Sequence, residues 1–235
     1  MGRLRDKLHP RVFSPRLTAF LLGLCLIAAA PGSGFASVEQ MTREQAMESI
    51  AGPDLDLRRN AERRLAEIGG MSDVDALVDR LRDSDPLVRA VASDAMWRIW
   101  GRSGDGEIDE LYLRGIGEMQ DGHLADALQT FNRIIQRKPD FAEGWNKRAT
   151  IRFLVGDYEN SLADCDEVFK RNPKHFGALA GAGQIHLMLD HPEIALDFFT
   201  RALAVNPNLE GLAMLKSMIE QHLREKAQQQ RGRPV

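Results

Sequence analysis

Near the C-terminus, Leu209, Leu212, Leu215, Met218, Ile219 and Leu223 recur at steps of three and four, which predicts one helix with an apolar stripe and a polar back. Gly122–Pro139 carries a related pattern of glycine, small alanine, aromatic and closing proline. That pattern is not a single occurrence. From Gly122 the register returns at Gly156 and then at Asp190, and from Pro139 it returns at Pro173 and Pro207, every step being 34 residues. Between these landmarks Ala127, Ser161 and Ala195 keep phase, as do Phe131, Cys165 and Phe199. The pairs Ile134–Ile135, Val168–Phe169 and Ala202–Leu203 follow, and upstream Gly115, Ala149 and Gly183 recur at the same period. A fixed period of this length means units that cannot bury their apolar stripes alone and must stack on their neighbours. Small residues then allow close approach of helix backbones. The glycines permit a positive φ in a tight turn, and each proline ends a helix because it has no N–H to continue it.

These residues resemble the tetratricopeptide repeat, with units at 108–141, 142–175 and 176–209. The resemblance implies an all-α chain, a right-handed solenoid of helical hairpins over residues 105–209. Some positions depart from the family pattern. Asp190 stands for a glycine and Pro192 for a Tyr or Leu, but Asp caps helices and Pro suits a first turn, so an intact turn is expected. Arg148 and Arg152 fall at usually apolar places, which implies looser packing or an ion pair with Asp164 or Glu167.

Residues 37–104 are helical in pattern but out of phase with the 34-residue period. Here Asp54, Arg58, Ala61, Leu65 and Ile68 match Asp85, Arg89, Ala92, Met96 and Ile99 at an offset of 31. The second copy resembles a HEAT-type repeat, which implies that Arg89 pairs with Asp83 or Asp85. The alternative is an unclassified helical cap. Gly101–Glu107 is the joint, either flexible or a plain turn, and a capping helix over 210–227 precedes a frayed tail at 228–235. Trp97 and Trp100 share one helical face and are expected to pack in the core or at the joint.

Arg3, Arg5, Lys7, Arg11 and Arg16 precede an uncharged run from Leu17 to Ala30, followed by small residues ending at Ala36. Those three parts read as a secretory signal peptide at 1–36, cleaved after Ala36, and the run is short of the ~20 residues a spanning helix needs. A retained membrane anchor is the alternative. Cleavage leaves no membrane span and implies a periplasmic location in a bacterial cell. Residues 1–36 hold five basic side chains and one acid, so 26 basic and 33 acidic residues remain, a net charge of −7. An acidic chain suits phosphate backbones poorly, so nucleic acid is not an expected partner. One cysteine, Cys165, remains after cleavage, so no internal disulfide forms and packing alone must hold the fold.

No catalytic grouping is visible. The histidines match no metal-ligand spacing, with His186 and His191 five apart, and Cys165 falls at a core place. No enzyme, cofactor or metal is expected. What remains is surface. By resemblance, the first helices of successive repeats line a concave groove. Asp109, Tyr112, Leu113, Ile116 and Met119 would face it from the first unit, and Glu143, Asn146, Lys147, Thr150 and Phe153 from the second. The third would contribute Gly177, Ala180, Gln184, Leu187 and Met188. Only Asn146 and Lys147 could serve a carboxylate clamp of the kind chaperone-binding members use, so that mode is not expected. The mixture of apolar and adaptable side chains suits an amphipathic helix or an extended peptide. The expected role is an exported adaptor or scaffold that binds protein or peptide. The alternatives are a non-catalytic subunit or regulator of a cell-envelope enzyme complex, and homo-oligomerisation through the ends of the solenoid.

Overall fold

The computed structural model describes residues 40–231, so the signal read at 1–36 lies outside the described residues. Eleven α-helices and one short 3₁₀ turn make up these residues, and no strand occurs among them. They fall into two compact units, residues 40–144 and residues 145–231, with the boundary inside the seventh helix.

The first unit begins with α1 (Arg43–Ser49), opened by a reciprocal capping box between Thr42 and Gln45. Helices α2 (Leu55–Ile68), α3 (Val74–Arg80) and α4 (Pro86–Trp100) follow, with α4 packed on both α2 and α3. The offset of 31 is a structural repeat. Asp54 caps α2 by accepting from the Leu57 N–H, and Asp85 caps α4 by accepting from those of Leu87 and Val88. Arg58 donates to the carbonyls of Gly52 and Pro53, and Arg89 donates in the same register to those of Asp83 and Ser84. Ala61 and Ala92, like Leu65 and Met96, are fully buried, whereas Ile68 is 40% exposed and Ile99 only 3%.

The pairing expected of Arg89 is corrected. Its partners are backbone carbonyls, and the two carboxylates of its own copy pair instead with arginines of the neighbouring copy. Arg58 meets Asp83 at 3.2 Å and Arg59 meets Asp85 at 2.9 Å. Trp100 is buried, with Trp97 edge-on to it at 5.2 Å. The joint is an ordered turn. Ser103 and Asp105 hold each other, and Asp105 caps α5 (Gly106–Gln120). Against α5 packs α6 (Leu124–Arg137), where Thr130 donates to Glu118 at 2.7 Å.

In the second unit α7 (Ala142–Leu154, from Trp145 on), α8 (Tyr158–Arg171), α9 (Phe176–Met188), α10 (Pro192–Val205) and α11 (Glu210–Arg231) follow in order. α11 extends past residue 227, where the sequence pattern predicts a tail. The repeat can be read in individual hydrogen bonds. His123, Asp157 and His191 each donate to the carbonyl five residues back at 2.8 Å, closing the same helix-ending turn. At its apex Gly122 and Gly156 have φ of 79° and 81°. Asp190 does not cap the following helix as expected; it takes the glycine's left-handed place itself, at φ 63°, and His191 is the N-cap.

Packing explains why two of three repeats need glycine on the first helix. A Cβ on Gly115 would lie 2.7 Å from the Phe131 ring, and one on Gly183 would lie 2.4 Å from the Phe199 ring. The middle repeat has Ala149 at that place and Cys165 instead of the aromatic, both buried in one cluster. The extra methyl is matched by the smaller side chain facing it. Cys165 is therefore a packing residue.

Candidate functional site

Asn146, Thr150 and Phe153 lie on one side of α7, at steps of four and three residues. Gly177, Gly181 and Gln184 do the same on α9. The two sets face a shallow depression with room of about 20 Å³, floored by Ala149, Cys165 and Ile185. That room is far below the ~300 Å³ of a small-molecule site, but it fits the edge of a side chain from a docked peptide. Thr150 satisfies its own hydroxyl by donating to the Asn146 carbonyl at 2.9 Å. Phe153 leans on Tyr158 with ring centroids 5.8 Å apart. Gly181 is the open point, because a Cβ built there would meet nothing within 4 Å. A partner's backbone can come closer to α9 at this point than any larger side chain would permit.

The walls are fixed from behind. Asp164 is buried and takes Arg148 through two hydrogen bonds of 2.7 and 2.9 Å, while Arg152 meets it at 2.7 Å. This is the ion-pair alternative among those the sequence leaves open for these arginines. Both guanidiniums project from α7 onto α8, so the trio locks the helix that carries Asn146 and Thr150. Trp145 lies against Arg148 and Arg171, at 4.9 and 4.8 Å from ring centroid to guanidinium carbon. Burial, followed by the charges of Asp164 and Asp166, pushes the Cys165 thiol up to about 12, so it is no nucleophile at neutral pH. Among the described residues no group of three or more His, Cys, Asp or Glu could hold a metal ion.

Several predicted groove residues sit elsewhere. Leu187 is buried in a cluster with Ala195, Phe199, Leu215 and Ile219, so it serves as core under α10 and α11. In the first unit Met119 is 7% exposed and belongs to the core. Tyr112 is mostly interior. Its ring stands edge-on to Phe131 and Phe141, its hydroxyl donates to Glu143 at 3.3 Å, and burial pushes it well above the ordinary tyrosine range. Glu143, at 1% exposure, is that hydroxyl's acceptor, and Asp109 accepts from the Ser103 N–H to hold the joint. Leu113 is 68% exposed and Ile116 half-buried, so of the apolar residues predicted for the groove on α5 these two stay accessible. Lys147 is buried at 8% exposure and Met188 half-buried. Sequence reasoning misses Gly181 because it has no side chain to suggest a role, although it stands 34 residues after Lys147 in the same register.

No family model matches the chain. A TPR repeat-containing protein of Rhizobium etli is 31% identical over 147 residues, which span 62% of this chain and 72% of its own length. Tetratricopeptide repeat protein 36 of Danio rerio is 32% identical over 103 residues, 42% of this chain and 55% of that protein. Among solved structures, the first TPR of Spaghetti (RPAP3) bound to an HSP90 peptide aligns with a TM-score of 0.48 at 20% identity, over 50% of this chain and 93% of that one. YrrB, described as a TPR protein with an unusual peptide-binding site, aligns at 0.45 and 16% identity, over 78% of this chain and 87% of its own.

Proposed function

The chain belongs to the tetratricopeptide repeat family, and we propose that it is a protein-binding module that docks a peptide or helix of a partner on the α7–α9 face of the second unit. The observation that carries this reading is the uncharged depression left open at Gly177 and Gly181, bordered by Asn146, Phe153 and Gln184 and braced by the Asp164 trio. The half-buried Gln184 amide there can pair with a partner's backbone, and Phe153 offers an apolar contact. Named relatives of this chain are repeat proteins, and solved TPR domains carry HSP90 and HSP70 peptides. In the finer reading the module is an exported adaptor or scaffold, delivered by the signal read at 1–36, with HEAT-like helices ahead of its repeats. The matched caps and arginine contacts of α2 and α4 support that last point.

Photo-crosslinking tests the proposal. A benzophenone amino acid is placed at Gln184 or Phe153, and a control at Asp197, which lies exposed on α10. Adducts with a shared partner from the first two positions and none from Asp197 support the face. The same adducts from all three positions, or none from Gln184 and Phe153, would sink it.

A further inference from the structure

Glu62 sits in the middle of α2, is fully buried, and neither of its carboxyl oxygens meets a hydrogen-bond donor. A charge is costly in such a place unless a counter-charge is at hand. The charged groups that face it are Arg58 from its own helix, Arg80 from α3, and Asp83 and Asp85 from the turn into α4. Both of these arginines are drawn to Asp83 and neither forms an ion pair with Glu62, although Arg58 Nε and Arg80 Nε are themselves buried without a hydrogen-bond acceptor. Arg58 lies 3.2 Å and Arg80 3.5 Å from one and the same oxygen of Asp83, and Arg59 holds Asp85 at 2.9 Å. Two carboxyls thus hold all three guanidiniums, and Glu62 is a third carboxyl with no ion pair. The internal repeat supplies a control. The residue equivalent to Glu62 in α4 is Ser93, so the helix needs no charge at that place.

We propose that Glu62 is a proton-operated lock, keeping its proton while the first unit is folded and loosening α2 from α3 and α4 when it ionises. Burial first, and then the charge of Asp83, push this carboxyl from 4.5 up to about 8. The folded state therefore binds the proton more tightly than the unfolded chain does. The stability it contributes is fully present below about pH 4.5, falls as the pH rises, and is gone above about 8. Residues 40–121 contain no histidine, the side chain that ordinarily titrates in that window.

Hydrogen exchange of the full chain, corrected for intrinsic rates and read on peptides from α2 and α4 between about pH 5.5 and 7.5, tests this. The wild-type opening constant should rise several-fold per pH unit, tenfold being the limit for one proton. Glu62→Gln, which keeps the shape and cannot ionise, should abolish that slope, and peptides from α11 serve as the reference. If Glu62→Gln fails to fold, Glu62→Ser, which copies the residue at the equivalent place in α4, is judged by the same slope. Equal slopes in wild type and variant, or a wild-type slope of the opposite sign, would overturn the lock.

Discussion

An alanine at Gly183 puts a methyl carbon 2.4 and 2.6 Å from two ring atoms of Phe199. Ordinary carbon contact is at roughly 3.5–4.0 Å, so about 1 Å of overlap must be relieved. The ring has nowhere to go, since Phe199 is fully buried and packed with Ala195, Leu215 and Ile219. Relief requires α9 to move away from α10, which as overpacking costs about 1–3 kcal/mol. Removing glycine from a helix interior returns about 0.8–1 kcal/mol. Gly181, two residues earlier in the same helix, supplies the control, because alanine there gains the propensity and meets nothing within 4 Å. The propensity cancels between the two variants, and their difference of about 1–3 kcal/mol reads the clash alone. Urea unfolding followed by circular dichroism, with midpoints compared at a common slope, measures it. If Gly183→Ala proves as stable as Gly181→Ala, the close packing assigned to the 34-residue small positions is wrong.

Other outcomes follow from the second unit. Asp164→Ala removes the carboxylate shared by Arg148 and Arg152, whose side chains are 14% and 22% exposed, and should lower stability by about 3 kcal/mol; a loss under about 1 kcal/mol would mean that the trio is solvent-screened. Asp190→Gly relieves a left-handed residue at φ 63° and should raise stability by about 0.5–1 kcal/mol in the same assay, whereas a loss would show that the carboxylate contributes to the turn. Cys165, with its thiol pushed up to about 12, should react with a thiol reagent at pH 8 only as fast as α8 opens; prompt stoichiometric labelling of the native chain would contradict its burial.

Most of the fold is legible in the sequence because the period forces it. Gly115 with Phe131, Ala149 with Cys165 and Gly183 with Phe199 already show that volume is traded between the two helices of a unit. Arg148 and Asp164 are legible as a pair because the arginine stands at a usually apolar place on a helix that must touch the one carrying the acid. The face of each side chain is less so. Register says which side of a helix Leu187 occupies but not that α11 closes over that side, and Tyr112 turns inward because Glu143, on the next repeat, supplies an acceptor. The repeat pattern offers Arg89 a carboxylate, yet carbonyls five and six residues back lie within its reach while Arg58 and Arg59 take the acids. Nothing in the sequence marks Glu62 as the surplus carboxyl, because that depends on Arg58 and Arg80 converging on Asp83 in three dimensions.

The binding face itself is tested most directly at its open point. Leucine at Gly181 is a good helix former, and its side chain would project from a position with no neighbour within 4 Å, into the space a docked peptide would occupy. With the partner recovered by crosslinking from Gln184, the Kd of wild type and of Gly181→Leu is measured by calorimetry beside their melting curves. Affinity should weaken at least ~10-fold, equivalent to ~1.4 kcal/mol, with the melting temperature unchanged or raised. An unchanged Kd in a folded Gly181→Leu chain would contradict the binding face.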